Sequence, residues 1–125
     1  MTKQVLVIDD EADIREITQL SLAVTTDWDV RTAASGQEGL DMVRDRQPDL
    51  VLLDLMMPDM DGQATCAHLK ENPQTQAVPV IFLTAKVQVK DQLELAQAGV
   101  EAIFTKPFDP TTLGAEISEV LGWQN

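Results

Sequence analysis

Short, uninterrupted apolar runs recur along this chain between stretches with helical spacing, and this alternation limits its possible folds more than any other feature. Runs at 5–8, 50–53, 80–83 and 102–104 have the length and composition of strands buried on both faces, and a weaker run lies at 28–33. Strands that alternate with helices in this way predict βαβ crossovers, a parallel sheet and helices on both faces of that sheet.

Helices are predicted between the strands by apolar stripes and by end signals. Two stripes have the spacing of a helix that packs one face on a core: Ile14, Ile17, Leu20 and Val24, and then Leu113, Ile117, Val120 and Leu121. Ser35 and Glu38 form a capping box that predicts the start of the second helix. Asp109 followed by Pro110 predicts the start of the fifth helix, and Gly99 predicts the end of the fourth.

These elements predict an α/β fold in which residues 1–125 form one domain around a doubly wound, five-stranded parallel sheet of the flavodoxin-like (βα)5 kind. No internal repeat and no Pro/Gly/Ser-rich linker divides the chain. Small folds of this class commonly have the strand order 2-1-3-4-5, and they bind ligands beyond the carboxyl ends of the strands, between strands 1 and 3. The polar residues at those ends are therefore the candidate functional residues.

The chain is strongly acidic, with 21 Asp and Glu residues against 9 Lys and Arg and a formal net charge of -12. Direct binding to nucleic acid is therefore not expected. The apolar runs are far shorter than the roughly 20 residues that span a bilayer, so no membrane insertion is expected. A cytoplasmic location is favoured because no apolar signal segment precedes the first strand and because Cys66 is the one cysteine, which excludes an internal disulfide.

Polar side chains follow four of the predicted strands directly: Asp9 and Asp10, then Asp54, then Thr84, and finally Lys106 after Thr105. Neighbouring parallel strands lie about 4.8 Å apart and end at the same edge, so the three carboxylates should share one pocket. Two carboxylates about 5 Å apart repel by about 3 kcal/mol at an effective dielectric of about 20, and a cation is therefore required. Oxygen ligands favour Mg²⁺, for which Mn²⁺ can substitute.

The same edge carries groups suited to an oxyanion. Lys106 supplies a fixed positive charge and Thr84 a hydroxyl donor. A carboxylate nucleophile beside a divalent metal, an ammonium and a hydroxyl is the set of groups that stabilises a phosphoryl group during transfer. Asp54 is the best candidate nucleophile because it ends the central strand of the predicted sheet.

With these residues in place, the chain resembles the receiver domains of two-component response regulators over essentially its whole length. The motifs that carry the resemblance occur in the expected order: Val7-Ile8-Asp9-Asp10-Glu11, Leu53-Asp54-Leu55-Met56-Met57-Pro58-Asp59-Met60-Asp61-Gly62, Leu83-Thr84-Ala85 and Thr105-Lys106-Pro107-Phe108. Each motif is weak by itself, and the combination is specific.

The resemblance implies a role for each matching residue. Asp54 would be the phosphoacceptor, and Thr84 and Lys106 would hold the phosphoryl oxygens. The metal would be bound by Asp10 directly, by Asp9 through water, by Asp54 and by the backbone carbonyl of Met56. The peptide bond before Pro107 would be cis.

The resemblance also implies the partners. A sensor histidine kinase or a histidine phosphotransfer protein would donate the phosphoryl group, and a downstream protein that the sequence does not identify would bind helix 4, strand 5 and helix 5, about 87–121. Lys86 and Lys90 would be positive points on that face. Such a domain is a signalling module that catalyses only its own phosphorylation and dephosphorylation.

Two departures from the family pattern bear on mechanism. Most members have Tyr or Phe three residues before the lysine, where this chain has Ile103; Phe104 is adjacent, but a strand directs it to the opposite face. The positions that orient a hydrolytic water are Met56 and Lys86, and neither offers a carboxylate or amide acceptor. We therefore hypothesise a comparatively long-lived phosphorylated state.

Three other functions remain as alternatives. A phosphohydrolase that works through an aspartyl phosphate usually has a second acid two residues after the nucleophile, where this chain has Met56. A flavin-binding protein of the same topology needs a loop of backbone donors after strand 1, where Asp9 and Asp10 would repel a phosphate. A degenerate receiver that serves only as a protein-interaction scaffold would not be phosphorylated.

Overall fold

The computed structural model of the chain describes residues 2–85 and 89–123. Strands and helices alternate throughout in the order β1 (Gln4–Ile8), α1 (Ala12–Thr25), β2 (Asp29–Ala33), α2 (Gly36–Asp45), β3 (Leu50–Leu53), α3 (Gly62–Glu71), β4 (Val80–Thr84), α4 (Val89–Ala96), β5 (Ala102–Thr105) and α5 (Leu113–Leu121). Within the described ranges, no helix is both long enough and apolar enough to cross a bilayer.

The five strands form one parallel sheet in the order β2-β1-β3-β4-β5, which confirms the predicted fold class and strand order. All residues of β3 and β4 are buried, as the uninterrupted apolar runs predicted for strands covered on both faces. The register pairs Ile8 with Leu53 and Thr84 with Thr105. These pairings bring the carboxyl ends of the strands to one edge, which we call the carboxyl edge.

Helices cover both faces of the sheet, and alternate strand residues divide the core into two clusters. On one face, Ile8, Leu53 and Phe82 pack with residues of α2, α3 and α4, such as Leu95. On the other face, β1, β3 and β4 pack with α1 and α5, including Ile117. Because each strand contributes to both clusters, the sheet is fixed from two sides and its carboxyl edge is held rigidly.

Three of the four residues in the apolar stripe of α1 do not face the core, contrary to the spacing, and only Ile14 is half-buried. Ile17, Leu20 and Val24 are 45%, 60% and 76% exposed, and we call these three residues the α1 strip. The buried side of α1 consists of Thr18, Ser21 and Leu22. Small hydroxyl residues on this side allow α1 to pack closely against its neighbours. The Ser21 hydroxyl donates to the carbonyl of Pro110 (2.5 Å), in the segment before α5. The helical spacing of apolar residues therefore did not show which side of α1 is buried and which is exposed.

The predicted helix ends are partly right. Ser35 accepts a hydrogen bond from the Glu38 N–H (3.1 Å) at the start of α2, and Gly99 has the predicted positive φ of 80 after α4. The predicted start of α5 at Asp109 is wrong, because the helix begins at Leu113 with Thr112 as its N-cap. Asp109 instead accepts from the Thr111 N–H (2.8 Å) and hydroxyl (2.7 Å), which stabilise a turn before the helix.

Candidate functional site

The carboxyl edge brings three carboxylates together, as the order of strands predicted. Asp9 follows β1 and Asp54 follows β3, and the Asp54 N–H donates to the Ile8 carbonyl (2.9 Å) across the two strand ends. Carboxylate oxygens of Asp9, Asp10 and Asp54 all lie within 4.8 Å of one another. Asp9 is 2% exposed and Asp54 is 3% exposed, whereas Asp10 is exposed at the mouth of the cluster.

Lys106 enters the cluster from the end of β5. Its Nζ donates to Asp9 Oδ2 at 2.8 Å and lies 3.6 Å from Asp54 Oδ1. The backbone N–H of Lys106 donates to the Thr84 carbonyl (2.7 Å), and the Lys106–Pro107 peptide bond is cis, as the resemblance implied. The lysine is thus fixed both through its backbone and through its ammonium group.

Thr84 lies at the end of β4 with 1% of its surface exposed, and its hydroxyl hydrogen-bonds with Asp54. Burial raises the pKa of Asp54 above its ordinary value of 3.8, and the charge of Asp9 raises it further. Lys106 and the hydrogen bonds from the Met56 N–H and Thr84 act in the opposite direction without cancelling this rise. A cation close to Asp54 would therefore favour its ionised, nucleophilic form.

The pKa of Lys106 is also shifted. Burial by itself would lower it, but the hydrogen bond to Asp9 and the charges of Asp54, Asp9 and Glu11 together place the pKa above its ordinary value of 10.5. Lys106 is therefore held as an ammonium ion at neutral pH, and it offers a permanent positive charge to the centre of the cluster.

The segment after Asp54 is fixed by the start of α3. Asp61 caps this helix by accepting from the Ala64 N–H (2.8 Å), and the Gly62 N–H donates to the Leu55 carbonyl (2.9 Å). A Cβ atom at Gly62 would lie 2.3 Å from the Asp54 carbonyl oxygen, so only glycine fits there without movement. The Met56 side chain, in contrast, is 76% exposed beside the buried carboxylates.

The sequence interpretation missed Arg15, a contributor to this edge. Arg15 is half-buried on α1, and its Nη1 donates to the Asp9 backbone carbonyl (2.8 Å). One signal in the sequence could have indicated this contact. Arg15 is a basic residue near the start of a helix, and that helix follows an acid at the end of a strand. Helical spacing gave no reason to direct that side chain back towards the strand rather than into solvent.

The position of Ile103 agrees with its interpretation as a departure from the aromatic pattern. Ile103 pairs with Phe82 and packs against the cluster on the α2, α3 and α4 side of the sheet. Phe104 packs against the opposite cluster, as predicted from the alternation of side chains along a strand. The adjacent phenylalanine is therefore not a substitute for an aromatic residue at position 103.

A 2-1-3-4-5 parallel sheet with three carboxylates and a partly buried lysine at its carboxyl edge defines the receiver class of signalling proteins, which are not enzymes in the usual sense. A family model described as "Response regulator receiver domain" matches residues 5–118, and the chain belongs to that family. The chain is therefore a receiver domain of the two-component response regulators. The cluster of three carboxylates is consistent with a divalent cation.

Relatives and solved structures agree with this assignment. The chain is 41% identical over 119 residues to "Probable transcriptional regulator ycf27" of Porphyridium aerugineum, covering 95% of this chain and 48% of that protein. It is 38% identical over 119 residues to "Response regulator Rre1" of Synechocystis, covering 95% of this chain and 52% of the relative. The chain therefore spans about half the length of the curated relatives that it matches.

Among solved structures, the chain is similar to the chemotaxis protein CheY4 of Vibrio cholerae, with a TM-score of 0.89 and 28% identity over 96% of this chain and 99% of that chain. It is also similar to the N-terminal domain of a response regulator receiver protein from Methanoculleus marisnigri JR1, with a TM-score of 0.79 and 34% identity over 99% of this chain and 100% of that chain. Both comparisons extend over nearly the whole described fold.

Proposed function

We propose that residues 1–125 form one receiver domain that accepts a phosphoryl group on Asp54 in a two-component or phosphorelay system. The observation that carries this proposal is the convergence of three carboxylates within 4.8 Å, with the Lys106 ammonium 3.6 Å from Asp54. Burial of Asp54 beside a lysine and a threonine hydroxyl provides a nucleophile surrounded by groups that stabilise transferred charge.

The proposed reaction forms a bond from an Asp54 carboxylate oxygen to phosphorus and breaks the phosphorus–nitrogen bond of a donor phosphohistidine, whose imidazole leaves with the bonding electrons. Lys106 and Thr84 then stabilise the phosphoryl oxygens, for which the ammonium must turn from Asp9 Oδ2, its present acceptor at 2.8 Å. No external reductant or oxidant takes part. The chain itself then needs no activity other than its own phosphorylation and dephosphorylation.

We assign the cation as Mg²⁺, with Mn²⁺ as a substitute, because the ligands offered are carboxylate oxygens. Asp10 is the expected direct ligand because it is the exposed member of the cluster, while Asp9 already accepts hydrogen bonds at both oxygens and fits a contact through water. Asp54 and the Met56 carbonyl complete the expected set. A bound divalent cation would supply charge neutralisation for the phosphoryl group and the carboxylates.

The donor is proposed to be a sensor histidine kinase or a histidine phosphotransfer protein, and the α1 strip is the face on which it would dock. Asp54 is too deeply buried to be reached unless the donor sits directly on the carboxyl edge. Ile17 lies on α1, whose first residue, Ala12, comes two positions after Asp10, and a cavity between α1 and Pro110 has almost entirely apolar walls. Exposed apolar surface beside a buried reactive group indicates a protein partner.

The output is proposed to leave through α4, β5 and α5, where phosphorylation would bias an equilibrium between two arrangements of one face. The groove along β5 and α5 joins apolar residues such as Phe108 and Val120 to the acids Glu116 and Glu119. Lys86, expected as a positive point on this face, lies outside the described residues, and so does the side chain of Lys90. The downstream partner is a protein of unassigned identity.

Direct binding of this chain to nucleic acid is not proposed, because its net charge of -12 opposes contact with phosphates. Some relatives have names that describe them as transcriptional regulators, and this chain spans only about half of their length. Any contact with DNA by a longer protein would thus need residues beyond those that match here.

Incubation with acetyl phosphate and Mg²⁺, followed by intact-mass measurement, tests the proposed function. The wild-type chain should gain one phosphoryl group, and the gain should disappear when Mg²⁺ is chelated or when Asp54 is replaced in Asp54→Asn. The control variant is Asp59→Asn, which changes a nearby exposed acid at a φ of 67 that asparagine also adopts, and it should still be phosphorylated. A wild-type chain that remains unmodified would support the scaffold alternative.

The donor surface has a separate test. Leu20→Glu should leave phosphorylation by acetyl phosphate unchanged, and it should slow transfer from a histidine kinase that phosphorylates the wild type by about tenfold, the effect of losing about 1.4 kcal/mol of apolar binding. Leu93→Glu is the matched control, because Leu93 is a 66% exposed leucine on α4 rather than α1. Equal effects of the two variants on kinase transfer would contradict the assignment of the α1 strip.

A further inference from the structure

Every backbone and side-chain polar atom of Asp9 that can form a hydrogen bond is engaged. Its N–H donates to the Ala33 carbonyl (3.1 Å), Oδ1 accepts from the Glu11 N–H (2.9 Å), and Oδ2 accepts from Lys106 Nζ (2.8 Å). Its backbone carbonyl accepts from Arg15 Nη1 (2.8 Å). The first three contacts hold Asp9 in the sheet, in the loop before α1 and in the site described above. The fourth contact, from Arg15, has no role in the proposed reaction.

Arg15 and Glu11 close a ring of hydrogen bonds around Asp10. The Arg15 backbone N–H donates to the Glu11 carbonyl (3.1 Å), the Glu11 N–H donates to Asp9 Oδ1 (2.9 Å), and Arg15 Nη1 returns to the Asp9 carbonyl (2.8 Å). Asp10 lies between the two tied residues. The backbone on either side of the exposed carboxylate is therefore fixed to the first turns of α1, although the Asp10 side chain itself is open to solvent.

We propose that Arg15 is a positioning residue for the cation site, which holds Asp10 in the geometry that lets it join Asp9 and Asp54. This inference rests on the proposed function, since it concerns the affinity of the same carboxylates for Mg²⁺. Arg15 acts through the Asp9 carbonyl and touches neither the phosphoryl group nor the cation. Hydrogen-bond partners that orient ligands in this manner typically change metal affinity by about 10- to 100-fold when they are removed.

The sign of the effect separates positioning from simple electrostatics. A guanidinium near three carboxylates repels a cation, so removing its charge alone would tighten Mg²⁺ binding. Removing the hydrogen bond that fixes the Asp9 carbonyl frees the loop before Asp10, and this loss of preorganisation weakens binding. A role confined to folding would lower the thermal stability of the metal-free protein and leave the affinity for Mg²⁺ unchanged.

The experiment is a calorimetric titration of the chelator-stripped chain with Mg²⁺, combined with thermal unfolding in EDTA. Arg15→Met keeps the aliphatic stem and removes both the charge and the donor, and it should weaken Mg²⁺ binding by about tenfold. Arg15→Lys keeps the charge and a donor and should recover most of the lost affinity. Arg31→Met is the matched control, because Arg31 Nη2 also donates to a backbone carbonyl, that of Arg46 (3.2 Å), and this hydrogen bond does not involve a residue of the site.

Unchanged or tighter Mg²⁺ binding in Arg15→Met, or equal weakening in Arg31→Met, would overturn the assignment of Arg15. If Arg15→Met does not fold, Arg15→Gln, which also removes the charge and shortens the side chain, takes its place: Mg²⁺ binding weaker than in Arg15→Lys supports positioning, and an affinity equal to that of the wild type overturns it. Failure of the wild-type chain to bind Mg²⁺ would instead overturn the proposed function, so the two failures are distinguishable.

Discussion

Replacing Asp54 with asparagine is expected to stabilise the chain in the absence of Mg²⁺, even though it removes the proposed phosphoacceptor. At an effective dielectric of about 20, an Asp9 oxygen within 4.8 Å repels ionised Asp54 by at least about 3.5 kcal/mol. The Lys106 ammonium at 3.6 Å attracts it by about 4.6 kcal/mol on the same scale. These two charges nearly cancel, so the cost of burying the carboxylate, several kcal/mol for an ion, determines the sign.

Asparagine keeps the shape of the side chain and an oxygen that can accept from Thr84, but it does not bury a charge. After allowance for the lost attraction to Lys106, we expect a gain of about 1–2 kcal/mol in the free energy of unfolding. For a chain of 125 residues this corresponds to a rise of about 4–8 °C in melting temperature. The assay is thermal unfolding in EDTA, followed by circular dichroism.

The pH dependence follows from the raised pKa of Asp54, whose largest cause is burial. Because folding raises this pKa above 3.8, the wild type carries no penalty below the unfolded value and loses stability as the pH rises through the folded value. The advantage of Asp54→Asn should therefore be present at neutral pH and absent in acid. Mg²⁺ should reverse the order, because it stabilises only a chain that binds it.

Asp41→Asn is the control, since Asp41 has a side chain that is 63% exposed and pairs only with Arg44 at 3.5 Å among its described charge contacts. It should leave the stability within about 0.5 kcal/mol of the wild type. Burial of the Asp54 charge is not the cause if Asp54→Asn is less stable than the wild type in EDTA at neutral pH, or if its advantage persists unchanged in acid.

Three further changes test other parts of the structure. Gly62→Ala should lower the free energy of unfolding, measured in urea, by about 1–3 kcal/mol and should slow phosphorylation, because its Cβ would lie 2.3 Å from the Asp54 carbonyl oxygen. A variant as stable as the wild type would contradict this packing. Met56→Asn should shorten the lifetime of phosphorylated Asp54 by supplying an amide for a hydrolytic water, measured as decay in Mg²⁺ after the phosphodonor is removed, and an unchanged lifetime would count against the hypothesis. Trp123→Ala should lower the free energy of unfolding by about 1–2 kcal/mol, since it removes the contacts with the Trp28 ring (5.1 Å) and Lys3 Nζ (4.9 Å). Its Mg²⁺ affinity, measured by calorimetry, should be unchanged.

The sheet and the membership of its acidic cluster were predictable because each depends on a strong local pattern. An uninterrupted apolar run such as 50–53 is suited to a strand covered on both faces, and the first polar residue after it must lie at the edge of the sheet. Parallel order then requires Asp9 and Asp54 to be neighbours. The positions of Thr84 and Lys106 followed from the same rule, applied to β4 and β5.

The features that the sequence did not predict depend on tertiary contacts, which the spacing of apolar residues does not reveal. The α1 strip has ideal helical spacing, but α1 packs through Ser21 and Leu22 on a neighbouring side, so the apolar face remained exposed. Asp109 has the chemistry of a helix cap and satisfies a turn just before the helix instead. The direction of Arg15 was equally invisible, because a long side chain can reach either solvent or a strand end.

The two tryptophans contact each other edge to face, and Trp28 immediately precedes β2 at the end of the sheet opposite the carboxyl edge. The chain has no tyrosine, so this one pair supplies nearly all of its near-ultraviolet emission. Fluorescence will therefore follow melting of the amino end of the sheet and the release of the segment after α5. Metal binding or phosphorylation at the aspartates will change the tryptophan fluorescence little. Kinetic studies of this chain will therefore need a label introduced near α4 or a method that detects heat or mass.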